Sequence, residues 1–188
     1  FGLKHEARAM AQAQGVPILE GTSILPDLAA ALAAADEVGF PLLLKSTAGG
    51  GGIGMQRCDS ARDLEAAFES VTALAKSNFT SPGVFLEKCI TKARHVEVQL
   101  FGDGRGEVII LGDRDCSLQR RNQKLVEECP AANLPESIRQ SMHDSARALA
   151  ASVNYASAGT IEFLYDADAN EYYFLEVNTR LQVEHGVT

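Results

Sequence analysis

Apolar positions recur at helical spacing in the first half of the chain and alternate in the second. Lys4 to Gln14 is alanine-rich and reads as a helix ended by Gly15 and Pro17. Pro26-Asp27 opens a second helix with Leu28, Leu32, Ala35 and Val38 on one face and Gly39 as its stop. After Pro41, Leu42-Leu43-Leu44-Lys45 is a short buried strand, and Met55-Gln56-Arg57 reads as the next one. A capping-box pattern, Ser60-x-x-Asp63, starts a third helix with Leu64, Phe68, Val71 and Ala75 in register. Asn78 to Gly83 is a loop, and Val84-Phe85-Leu86-Glu87 is a strand.

Beyond residue 90 the period falls to two. Val96, Val98 and Leu100 alternate with His95, Glu97 and Gln99, and Glu107 to Leu111 pairs with them across Gly102-Asp103-Gly104. Pro135 opens a long helix with Ile138, Met142, Ala146, Leu149 and Val153 inward. Two last strands, Thr160 to Tyr165 and Tyr172 to Asn178, flank the turn Asp166 to Asn170. Alternation then runs on through Glu176, Asn178, Arg180, Gln182 and Glu184. An extended chain would gather these on one face as two carboxylates, two amides and a guanidinium. The order predicts a small α/β lid over the first half and a mostly antiparallel sheet with one covering helix in the second.

A chain of 188 residues that is 46% apolar has ample material for a core. The net charge of -8 argues against a nucleic-acid or membrane-surface protein, whose footprint is basic. Cys58, Cys89, Cys116 and Cys129 have no metal-motif spacing and fit a reducing cytosol. No apolar run is long enough to span a bilayer. The start at Phe1 and the stop at Thr188 read as a piece cut from a longer protein.

Four stretches carry candidate chemistry. Thr47 to Met55 holds five glycines in six positions after a strand bearing Lys45, a flap whose backbone N–H groups can approach a phosphate chain; a plain flexible hairpin is the alternative. Glu87-Lys88-Cys89-Ile90 ends a strand at the lid-to-base junction and suits a purine edge, though alone it is an ordinary surface pair. Asp113 to Lys124 puts four cations among twelve residues, reads as a loop at the sheet's edge, and brings Lys124 toward the same pocket as Arg180. Glu162, Glu176 and Asn178 on adjacent strands form an oxygen cage suited to Mg²⁺. His95, His143 and His185 are too scattered for zinc, and His143 reads as a helix-surface residue.

Lys45 with its flap, Glu87-Lys88, Arg94-His95-Val96-Glu97, Arg114-Asp115-Cys116-Ser117, Gln119-Arg120-Arg121, Gln123-Lys124 and the run Glu176 to His185 together resemble biotin carboxylase, the ATP-grasp component of biotin-dependent carboxylases. The resemblance covers essentially Phe1 to Thr188. It implies an α/β (α+β) ATP-grasp fold: residues 1–16 as a helix connecting to a preceding domain, 17–90 as the lid subdomain, and 91–188 as the central subdomain. ATP would lie between flap and base sheet. Lys4, Lys45, Gly51 and Gly52 would meet its phosphates, and Glu87, Lys88 and Ile90 its adenine. His95, Gln119 and Asn122 would line the nucleotide site, and Glu162, Glu176 and Asn178 would hold Mg²⁺ or Mn²⁺. Lys124, Arg180, Gln182 and the Val183 backbone would grip bicarbonate, with Glu184 as its base. The implied partners are a biotinyl-lysine carrier domain and a carboxyltransferase region, with oligomers possible through regions outside the chain.

Two positions depart from that pattern. Asn122 stands where most of the family has His, and Gly186 where it has Pro. Asn122 can still hydrogen-bond a ribose or phosphate, but it carries no charge. Both changes, with Val177 to Leu181, resemble the urea carboxylase branch found in urea amidolyases, where the carboxyl passes to urea. Another ATP-grasp carboxylate–amine ligase and an inert nucleotide-binding module are the competing readings.

Overall fold

The computed structural model describes residues 4–47, 54–78 and 83–188. Most of the glycine-rich flap, with Gly51 and Gly52, lies outside the described residues, as does the Lys4 side chain. Contacts divide the chain into two units, one built from Glu6–Ile18 and Lys92–Thr188 and the other chiefly from Leu19–Thr91. Helix α1 (Lys4–Ala13) contributes Ala7 and Ala11 to the core of the larger unit.

The smaller unit starts from a cap. The Asp27 carboxylate accepts the Ala30 N–H at 2.8 Å and so satisfies one orphan donor of α2 (Leu28–Val38). Its inward face centres on Ala31, Ala35 and Val38, while Leu28 and Leu32 pack half-buried at the side. Small alanines let the helix approach its sheet closely, so the buried stripe is turned from the leucine-centred one expected. Strands β1 (Leu42–Ser46) and β2 (Met55–Cys58) pair antiparallel. In α3 (Ala61–Asn78) Ser60 Oγ accepts the Asp63 N–H at 3.3 Å, and the Asp63 carboxylate accepts the Asp59 N–H at 3.1 Å. Leu64, Phe68, Val71 and Ala75 are all buried, as their spacing requires. Strand β3 (Val84–Lys88) completes an antiparallel sheet of order β2-β1-β3.

The larger unit is a five-stranded antiparallel sheet of order β6-β5-β4-β7-β8. Its strands are β4 (Ala93–Asp103), β5 (Val108–Arg120), β6 (Gln123–Glu128), β7 (Ala156–Asp166) and β8 (Glu171–Asn178). Helix α4 (Glu136–Ser152) buries Met142, Ala146, Leu149 and Ala150 in a core shared with Val96, Val98, Leu100, Ile161 and Phe163. Phe163 and Tyr172 pack edge to face with centroids 5.6 Å apart. Val153 caps the helix and is exposed instead of pointing inward.

Three expectations about the backbone need correction. The β4–β5 turn falls at 104–107, because β4 continues to Asp103, whose carboxylate accepts the N–H groups of Arg105 and Glu107. Asp113 to Lys124 is not a loop but most of β5, a two-residue turn and the start of β6. Arg121 and Asn122 form that turn with φ of 53° and 63°, a left-handed pair that asparagine tolerates well. Lastly, β8 ends at Asn178 and Val183–Val187 is a 3-10 turn, so the five even positions do not share one strand face.

Two glycines make room for Tyr155, which links α4 to β7. A Cβ at Gly102 would overlap the Tyr155 carbonyl oxygen, and one at Gly159 would stand 2.6 Å from the Tyr155 hydroxyl. No helix among the described residues is long and apolar enough to cross a membrane.

Candidate active site

Strand alternation in β4 puts Val96, Val98 and Leu100 against α4 and turns Glu97 and Gln99 to the other face. Register then decides which groups meet there. Arg114 of β5 pairs with Glu97 of β4, Glu97 with Glu162 of β7, and Glu162 with Glu176 of β8. One row across four strands therefore carries a guanidinium and three carboxylates. Next to it, Gln99 pairs with Thr160, and Thr160 with Asn178. Like charges directly opposite repel across a ladder, so this row needs cations to stand.

Lys124 and Arg114 supply them. Lys124, on β6, donates to Glu97 Oε2 at 2.5 Å and Glu162 Oε1 at 2.9 Å, and its Nζ lies 3.8 Å from Glu184 Oε1. Arg114 is fully buried and donates through Nε to Glu97 Oε1 at 2.6 Å. Glu162 also accepts from Asn178 Nδ2 at 2.8 Å, and its Oε2 sits 2.7 Å from His95 Nε2. The other ring nitrogen of His95 is 2.7 Å from Gln119 Nε2. Burial alone would raise the Glu162 pKa. His95, by hydrogen bond and charge, and the Lys124 ammonium outweigh it and bring the carboxyl from 4.5 to about 2. Burial opposes the charge on Lys124, but Glu162 and Glu97 raise its pKa nonetheless. Both groups are held ionised.

The structure thus brings together Lys124, His95, Gln119, Glu162, Asn178 and Glu184, with Glu176 in register beside Glu162. Gln182 is buried, and its Oε1 accepts from Arg114 at 2.9 Å and from Thr160 at 2.7 Å. Arg180 is not gathered in. Its guanidinium is exposed and donates to the Leu181 carbonyl at 3.3 Å, and Val183 is 96% exposed. Once β8 ends at Asn178, nothing in the backbone forces Arg180 onto the face of Glu176. Asn122 is exposed in the β5–β6 turn.

The smaller unit holds its own charged pair. Lys45 of β1 and Glu87 of β3 are both buried, and the Lys45 ammonium donates to Glu87 Oε1 at 3.0 Å. Lys88 directs its ammonium to the carbonyls of Gly39 and Phe40 at 3.0 and 3.2 Å, which places a cation at the C-terminal end of α2. The N–H groups of Lys88 and Cys89 bond to the Glu20 and Pro41 carbonyls. Ile90 is half-buried.

Sequence reasoning missed Arg114, Glu97 and Thr160 as members of the site. A usable signal existed for Glu97, a carboxylate between Val96 and Val98 in an apolar strand. It also misplaced His143. That ring lies 3.0 Å from the buried Asp113, which further binds Arg139 and the Ala131 N–H. Burial raises the Asp113 pKa, yet these three partners carry it down to about 2.

Residues 4–188 match the model of the carbamoyl-phosphate synthase L chain, ATP-binding domain, and the chain belongs to that family. It is 54% identical over its whole length to the urea amidolyase of Saccharomyces cerevisiae and spans 10% of that protein. Among solved structures, a Campylobacter jejuni biotin carboxylase–β-γ-ATP complex superposes with a TM-score of 0.93 at 45% identity. That match covers 98% of this chain and 41% of the other. The biotin carboxylase domain of Hydrogenobacter thermophilus 2-oxoglutarate carboxylase, in complex with MgADP, ADP and bicarbonate, gives 0.92 at 41% identity over 98% of this chain and 41% of that one. The fold is that of ATP-grasp biotin carboxylases, as the resemblance implied.

Proposed function

We propose that the chain is the nucleotide- and bicarbonate-handling part of a biotin carboxylase. It uses MgATP to activate bicarbonate and passes the carboxyl to biotin on a carrier domain. The observation that carries this reading is the cross-strand row Arg114–Glu97–Glu162–Glu176 with Lys124 above it, an array of charges beside Glu184 of which Arg114, Glu97 and Glu162 are buried. The bicarbonate in the H. thermophilus structure and the β-γ-ATP in the C. jejuni structure agree with it.

Residue roles follow from chemistry. Glu162, Glu176 and the Asn178 carbonyl are hard oxygen donors, a set that fits Mg²⁺ or Mn²⁺, and a divalent cation would relieve the repulsion between the paired carboxylates. Such an ion supplies charge neutralisation on nucleotide phosphates. The proposed ATP-binding residues are Lys4, Lys45, Gly51, Gly52, Glu87, Lys88, Ile90, His95, Gln119 and Asn122.

Lys124, Arg180, Gln182 and the Val183 N–H hold bicarbonate, so that the oxyanion is positioned before it reacts. Glu184 takes its proton, which raises the nucleophilicity of the oxygen that attacks the γ-phosphoryl group. Lysine ammonium groups stabilise the charge on the transferring group. ADP leaves, and the carboxyphosphate breaks down to inorganic phosphate and CO₂, which passes to the ureido nitrogen of biotin.

Urea is the proposed final acceptor, supported by 54% identity to a urea amidolyase and by Asn122 and Gly186. The proposed setting is the cytoplasm, with the carrier and carboxyltransferase regions as partners. Residues 1–16, 17–90 and 91–188 are assigned as connecting helix, lid and central subdomain.

The test is phosphate release from ATP by the native polypeptide. Release that requires both bicarbonate and biotin supports the reading. Release stimulated by an amine without bicarbonate assigns a carboxylate–amine ligase instead.

A further inference from the structure

We infer that Arg114 and Thr160 are positioning residues that hold the Gln182 amide as a one-way hydrogen-bond donor toward a bicarbonate oxygen. This rests on the functional reading above. Gln182 is 4% exposed, and a buried amide has two possible orientations that differ by exchanging an acceptor for a donor. Arg114 removes the choice. A guanidinium has no acceptor capacity, so the atom 2.9 Å from its Nη2 must be the amide oxygen. Thr160 Oγ1 donates to that same oxygen at 2.7 Å, which fills its second lone pair.

The NH₂ end makes no hydrogen bond among the described residues. It is therefore the end left to meet a ligand, and an oxyanion is the ligand that a pair of fixed N–H donors suits. The opposite orientation would set a carbonyl dipole against a negative oxygen.

Arg114 is rigid enough for this task. Its Nε binds Glu97 Oε1 at 2.6 Å, and its Nη1 binds Gln99 Oε1 at 2.9 Å and Thr188 Oγ1 at 2.5 Å. With the Nη2 contact to Gln182, every nitrogen of the fork has a partner on the sheet or on the segment after β8. Arg114 is 0% exposed, so it acts through Gln182 and does not touch substrate. The Gln182 carbonyl in turn accepts the His185 N–H at 3.3 Å and lies 2.9 Å from His185 Nδ1. Fixing Gln182 therefore also fixes the 3-10 turn that carries the Val183 N–H and Glu184.

Steady-state phosphate release by the native polypeptide, with bicarbonate and ATP varied separately, tests the inference. Thr160→Val keeps shape and removes one donor. It is expected to raise the bicarbonate KM about fivefold, the worth of one hydrogen bond, with the ATP KM unmoved. Thr160→Ser restores the wild-type value. Arg114→Lys raises the bicarbonate KM further, since an ammonium cannot reach Glu97, Gln99 and Gln182 together.

An unchanged bicarbonate KM in a folded Thr160→Val protein overturns the positioning role. So does a parallel rise in both KM values, or no rescue by serine. Wild-type release that ignores bicarbonate overturns the functional reading itself.

Discussion

The five-stranded sheet buries the centre of both faces, and alternate residues of the same strands fill them with opposite chemistry. Against α4 lie Val96, Val98, Leu100, Ile161 and Phe163, whose removal from water drives folding without fixing direction. On the other face, Glu97, Gln99, Arg114, Thr160 and Glu162 are equally hidden, but each is held by named partners at fixed distances. Burying charge costs free energy that pairing recovers only in part. A sheet selected for stability alone would be covered by apolar groups twice. The difference gives the α4 face the task of holding the fold, and the charged face is the one on which the proposed ligands would bind.

Substitutions on the two faces should therefore separate stability from activity. Phe163→Ala is expected to lose about 3–5 kcal/mol in denaturant unfolding, the usual result of a cavity under a large side chain. Where the variant remains folded, its bicarbonate KM should stay close to wild type.

Arg114→Met should cost about 3–5 kcal/mol as well, because buried Glu97 keeps only Lys124 and Gln99 Oε1 loses its buried donor. Here the second change matters: adding Glu97→Leu should recover part of the lost stability while leaving the enzyme inactive. Failure of the double variant to recover any would show that the charged face is needed for folding.

Acid comes next. Glu162 titrates at about 2 in the folded chain against an ordinary 4.5, so its contribution is fully present above pH 4.5 and is lost as pH falls through 2. That difference corresponds to about 3 kcal/mol, and Glu162→Gln should flatten the slope of stability against pH over that window. An unchanged slope would transfer the acid sensitivity to Asp113, whose carboxyl lies equally low.

Arg180→Ala should have the smallest effect on unfolding, within about 0.5 kcal/mol for an exposed side chain. Bicarbonate-dependent turnover should still fall sharply, with nucleotide affinity near normal. Loss of nucleotide affinity instead would move Arg180 to a different subsite.

Legibility in the sequence followed the same division. The α4 face was readable because an apolar stripe leaves a periodic trace, as in Val96 to Leu100 and Met142 to Leu149. The capping at Asp27 and Ser60 was readable because it is local. Strand β5 beyond Gly112 was not, since its inward residues pair with polar groups from other strands and leave no apolar rhythm in Asp113 to Arg120. For the same reason Arg114 passed as one cation in a basic stretch, though only register with Glu97 and the return of Gln182 give it a role. Alternation from Glu176 to Glu184 misled in another way. Period two persists in the letters after β8 has stopped, and a 3-10 turn takes over without any proline or glycine to announce it before Gly186.

Tyr155 makes two sites that look alike in a sequence behave differently under mutation. At position 102 the obstacle is main-chain oxygen, which no change of residue 155 can take away, so a side chain there should be rejected in every background. At position 159 the obstacle is the phenol ring, and trimming Tyr155 to leucine should make alanine acceptable where it was not before. One glycine is thus permanent and the other conditional, and a paired library over 155 and 159 would recover variants that neither position yields alone.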